Sequence, residues 1–164
     1  MPSSEIPPPP LAITLFGPMQ VRVHGRPLPT LRSRKHLWVL ALLTLRHNRP
    51  VAREWLAGTL WPEVEQSNAF DNLRPVLSAL RKALGDQSQR LQSPNRATLM
   101  LDLTDAEVDL VQFDAAIHSR TLSELKQAVA LYRGPLLEGC REEWALPERG
   151  SREQVYLQAL QTLG

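Results

Sequence analysis

The chain has 164 residues, 43% of them apolar, and a formal net charge of +2, enough for one ordinary domain or two small ones. Its single cysteine, Cys140, excludes an intramolecular disulfide and any multi-cysteine metal site, which fits a reducing cytoplasm. No secretory signal opens the chain, and its longest apolar run, 37–45, is too short to span a bilayer, so no membrane partner is expected.

Residues 1–10 are rich in Ser and Pro and read as a disordered leader. Leu11, Ile13 and Leu15 alternate, as do Met19, Val21 and Val23, with Gly17-Pro18 between them, which predicts an antiparallel hairpin. A turn at His24-Gly25-Arg26 follows, and 27–30 adds a short edge strand. Ser33 is positioned to cap a helix running to about His47, with Leu37, Leu40, Ala41 and Leu45 inward and Asn48 and Pro50 ending it.

The stretch 50–85, PVAREWLAGTLWPEVEQSNAFDNLRPVLSALRKALG, is the most informative. Val51, Leu56 and Leu60 give a short helix its apolar stripe, and Trp61-Pro62 stops it. Phe70, Leu73, Leu77, Leu80 and Leu84 repeat at spacings of three and four, marking one buried face of a second helix. Ser67, Asn68, Asp71, Pro75, Ser78 and Lys82 fall on its far side, and Gly85 supplies a left-handed cap. Two helices with a tight break, the second displaying amide, hydroxyl and cationic groups, have the layout of a helix-turn-helix DNA reader. Two strands, 90–92 and 98–103, then flank the turn Ser93-Pro94-Asn95-Arg96. A hairpin directly after such a helix is what a winged helix requires.

From Asp109, read as a cap, the chain is helical. Val111, Phe113, Ala116 and Ile117 face inward on one helix. Leu122, Leu125, Val129, Leu131 and Tyr132 serve a second, closed by Gly134-Pro135, and 144–163 forms a third. Paired helices of this size resemble solenoid units, which bury their faces against stacked neighbours.

Charge separates the two parts. Residues 1–98 carry 13 Lys or Arg against 6 Asp or Glu, a balance of +7, whereas 99–164 carry 6 against 11, a balance of −5. A basic half suits a polyanion, because neutralising phosphates releases condensed counterions. The acidic half is better suited to protein. No histidine pair has ligand spacing, and no phosphate loop or nucleophile motif occurs, so neither an enzyme nor a cofactor or metal site is expected.

In the order LFGPMQVRVHGRPLP from Leu15, RSRKHLWVLALLTLRHNRPVAREWLAGTLWP, NLRPVLSALRKALG, VDLVQFDAAI, LYRGPLLEG and the W-x3-E-R of Trp144 to Arg149, the chain resembles the SARP-type bacterial transcriptional activators over roughly 11–163. The resemblance implies an α+β fold in which an OmpR-like winged helix, 11–105, with an N-terminal antiparallel sheet, precedes an all-α, tetratricopeptide-like activation segment, 106–164. It further implies double-stranded DNA and RNA polymerase as partners, with binding to repeated promoter sites as a homodimer or as tandem copies. Two departures stand out: Pro75 falls inside the recognition helix, where it should kink the helix or delay its start, and the later helices of the activation domain are missing.

Candidate DNA contacts follow from this layout. Asn68 and Asn72 can read adenine edges or act as caps; Ser78 and Lys82 lie on the outward face; Arg74 flanks it at phosphate height. Arg34 and Lys35, at a helix start unfavourable for cations, point to an anionic neighbour. Asn95 and Arg96 form the tip of the wing. Arg81, beside the apolar stripe, is expected in an ion pair. The alternative is an interaction adaptor whose winged helix does not bind DNA.

Overall fold

A computed structural model describes residues 6–29, 31, 33–47 and 49–164. The leader's first five residues, and the expected roles of Thr30 and Asn48, lie outside the described residues. The strands are β1 (Leu11–Thr14), β2 (Gln20–Val23), β3 (Arg26–Pro27), β4 (Val51–Ala52), β5 (Leu91–Gln92), β6 (Thr98–Leu101) and β7 (Glu107–Val108). The helices are α1 (Lys35–Leu45), α2 (Arg53–Leu60), α3 (Gln66–Leu84), α4 (Asp109–Ser119), α5 (Leu122–Leu131) and α6 (Ala145–Leu163). One sheet has the order β3-β2-β1-β7 and the other β4-β6-β5. The fold is therefore mixed α+β, as expected.

The chain divides into two compact units, 1–12 with 21–107, and 13–20 with 108–164. In the first, α1 buries His36 and every residue from Trp38 through Thr44, consistent with an apolar run that Thr44 alone interrupts. The Thr44 hydroxyl donates to the Leu40 carbonyl at 2.7 Å, which satisfies it inside the core. α3 buries Ala69, Leu73, Val76, Leu77, Leu80 and Leu84. The hairpin β5–β6 pairs Leu91 with Leu101 and Gln92 with Met100.

In the second unit, Phe16, Phe113 and Tyr132 form an aromatic cluster, with ring centroids 4.8 Å apart for Phe16 and Phe113 and 5.1 Å for Phe16 and Tyr132. Tyr132 also stacks on Tyr156 at 3.9 Å. Arg149 donates from Nε to the Leu136 carbonyl and from Nη2 to the carbonyls of Leu137 and Cys140, all within 2.8 Å. This planar fork fixes the loop between α5 and α6, where Leu137 takes a positive φ of 52°. Cys140 is buried.

Several local expectations are corrected. Val51 belongs to β4 and pairs with Leu99 of β6; two residues of strand are too short to register as a period. Ser33 caps the start of α1 as expected: Arg34 already has helical dihedrals, and the Ser33 hydroxyl accepts from the Lys35 amide at 3.1 Å. β3 is only Arg26–Pro27, although the Leu28 amide still donates to the Val21 carbonyl at 3.2 Å. α1 ends at Leu45, two residues early. Phe70 is only half-buried, its inward place taken by Ala69. Gly85 has φ 58° with ψ −121°, outside the left-handed helical region, and leads into a 3-10 turn over Gly85–Arg90. α3 begins at Gln66, so Pro75 does not delay its start. Leu122 is exposed, while Leu110 and Ala128 fill inward positions that periodicity did not assign.

Asp109 is not a cap, a place held by Val108. Its carboxylate accepts the amides of Leu15 at 2.8 Å and Phe16 at 3.1 Å. Burial pushes its carboxyl above the ordinary value, against the pull of those hydrogen bonds.

Candidate nucleic-acid interface

The helix pair α2 and α3 and the hairpin β5–β6 all belong to the first unit. α2 is short because the chain turns at Trp61-Pro62, where a missing amide ends the ladder. α3 is long and strongly two-faced. Ser67, Asn68, Asp71, Arg74, Pro75, Ser78 and Lys82 are exposed, and Asn72 is half-buried. Asn68, Arg74, Ser78 and Lys82 therefore share the open side of one helix.

Arg53, the first residue of α2, is the residue that sequence reading missed. Its amide donates to the Ala97 carbonyl at 2.8 Å, and its Nη2 donates to the Ser93 hydroxyl at 2.8 Å, so α2 is bound at its start to the hairpin. Its Nε is buried and has no partner among the described residues. Burial, and then repulsion from Arg81 and Arg74, holds its guanidinium below the ordinary arginine value. Arg74 and Arg81 of α3 thus lie near enough to Arg53 to repel it. None of the three has a carboxylate partner among the described residues, and Arg81, expected in an ion pair, has a cation near it instead. Such a cluster is costly alone and favourable around an anion. The missed signal was the Val-Ala pair of β4, which places Arg53 beside the turn.

Other candidates are placed as follows. The Lys35 ammonium donates to the Leu60 carbonyl at the end of α2 and lies 6.0 Å from the Trp61 ring. Its anionic neighbour is thus a helix C-terminus, the negative end of a macrodipole. Arg34 is exposed one residue earlier. At the hairpin tip, Asn95 accepts the Ala97 amide at 2.8 Å, an Asx turn that shapes the loop, and Arg96 is exposed beside it. No group of three or more His, Cys, Asp or Glu among the described residues could hold a metal ion. No described helix is long and apolar enough to cross a membrane.

The chain is similar to a transcriptional regulator. It is 31% identical over 142 residues to the transcriptional regulatory protein EmbR of Mycobacterium tuberculosis, strains CDC 1551 and H37Rv, and to EmbR of Mycobacterium bovis. The match covers 78% of this chain but 36% of each relative, so the chain spans about a third of their length. In structure it matches Mycobacterium tuberculosis EmbR, solved in complex with a low-affinity phosphopeptide, with a TM-score of 0.79 and 25% identity. That match covers 95% of this chain and 45% of the other. No protein-family model matches. The likeness to EmbR supports a transcription regulator and agrees with the SARP-like resemblance of the sequence.

Proposed function

We propose that the chain is a sequence-specific DNA-binding regulator, an activator that occupies repeated promoter sites in the cytoplasm and contacts RNA polymerase. Residues 11–105 act as the winged helix and 106–164 as part of the tetratricopeptide-like activation segment. The observation that carries this reading is Arg53, bound to the hairpin through Ser93 with Arg74 and Arg81 of α3 near enough to repel it. α3 enters the major groove with Asn68, Asn72, Ser78 and Lys82 toward the bases. The three arginines meet one phosphate strand, Arg34 supplies a further cation, and Asn95 and Arg96 form the wing. Lys35 acts indirectly, by holding the end of α2. The acidic second unit is the polymerase-facing part.

Selection from random duplex oligonucleotides tests this reading. Enrichment of a direct or inverted repeat is the expected result. A pool without enrichment, together with no retention of any duplex, leaves the interaction adaptor as the function.

A further inference from the structure

A second feature of the first unit is unused by that reading. A cavity of about 710 Å³ runs along α3 on the side away from the arginine cluster, lined by Pro29, Leu31, Val76 and Ala79, with His36 and Lys82 as its nitrogen bases. The volume lies within the range typical of small-molecule sites. It is open because α3 is thin there. Pro75, Ala79 and Ala83 line it in succession at i, i+4 spacing, and none has a side chain long enough to fill it.

His36 points to a ligand. It is 7% exposed, and its Nδ1 lies 2.9 Å from the Ser33 carbonyl. A carbonyl only accepts, so Nδ1 donates the proton in this bond and Nε2 takes no part in it. Nε2 is not among the sealed polar atoms of the described residues, so it stays open to a molecule entering the cavity. Lys82 adds an exposed ammonium.

We propose that this cavity binds a small amphipathic hydroxy acid. The apolar body lies on Leu31, Val76 and Ala79; the hydroxyl donates to His36 Nε2; the carboxylate pairs with Lys82. Lys82 is also one of the residues proposed to face DNA, so acid and duplex compete for one ammonium, and the ligand acts as a release signal. This last consequence rests on the proposed DNA reading; the binding itself does not.

The test titrates the 164-residue chain with 3-hydroxyoctanoate, octanoate and the methyl ester of 3-hydroxyoctanoate, followed by amide NMR. Saturable shifts at Val76, Ala79 and Ala83 with 3-hydroxyoctanoate are expected. Octanoate and the ester should each bind about threefold or more weakly, having lost one polar contact. Lys82→Met should weaken the acid but not the ester, and Ala79→Phe and Ala83→Phe should abolish the shifts with helix signal retained. Shifts that do not saturate below about 10 mM, or that persist in both Phe variants, overturn the proposal. So does a response of these amides to mixed-sequence duplex DNA with none to the acid, which would assign the cavity to the DNA backbone. In a parallel arm, saturating acid should weaken duplex binding about threefold or more, and unchanged affinity overturns the competition. Binding of the acid by a chain that binds no duplex supports the cavity and overturns the DNA reading alone.

Discussion

The Nη2 of Arg53 donates to the hydroxyl of Ser93 at 2.8 Å, joining the first turn of α2 to the tip of the hairpin. With Arg74 and Arg81 close enough to depress its guanidinium, the same residue organises a turn and concentrates positive charge. Arg53→Gln keeps the polar contact and removes one cation. Weaker duplex binding, about threefold or more on specific and random DNA alike, is expected, with thermal stability unchanged or raised because repulsion is relieved. Binding isotherms on both duplexes and a melting curve check this.

Raising salt from about 50 to 200 mM should weaken duplex binding at least tenfold if several phosphates are engaged. Fluorescence anisotropy of a labelled duplex measures the slope. Affinity that is flat with salt would remove the charge-based account.

Base-facing and phosphate-facing residues should separate by behaviour. Asn72→Ala and Lys82→Ala are expected to narrow the gap between a selected site and random DNA, whereas Arg34→Ala and Arg74→Ala weaken both equally. Identical effects from all four would place the reading face elsewhere on α3.

Arg149→Lys should destabilise the second unit by about 2 kcal/mol, because an ammonium cannot serve three carbonyls as the planar guanidinium does. Chemical denaturation followed by circular dichroism is the measurement. A loss within experimental error would show that the loop between α5 and α6 holds itself.

Asp109 makes stability depend on pH in an uncommon direction. Its carboxyl is raised by burial, so its contribution is present at low pH and declines as pH climbs above the ordinary carboxylate range through the raised value. Asp109→Asn, neutral throughout, should therefore be most destabilising near pH 4 and least near pH 7. Denaturation of both proteins across that range gives the trend, and a penalty that grows with pH would reverse the assignment.

What was legible in the sequence was whatever repeats. Leu73, Leu77, Leu80 and Leu84 announce α3 through their spacing, and all four are buried. The turn at Ser93-Pro94-Asn95-Arg96 is equally plain from its composition, and it joins β5 to β6. Arg53 and Asp109 were missed or misread because their partners are remote in sequence. Ser93 lies 40 residues from Arg53, and Leu15 lies 94 residues from Asp109. Local signals described Asp109 as a cap, since an acid at a helix start normally is one. Only the fold brings it to two strand-end amides. Lys35 likewise looked misplaced until the end of α2 appeared beside it.

The second unit is assembled from two separate stretches, 13–20 and 108–164. A piece expressed from 108 onward would lack Phe16 for its aromatic cluster and would leave the Asp109 carboxylate without the Leu15 and Phe16 amides. Cleaving the chain between 107 and 108 has a different result, since 1–107 retains the missing stretch. The two products should then stay together as a split pair and reassemble when mixed, while 108–164 alone should not fold.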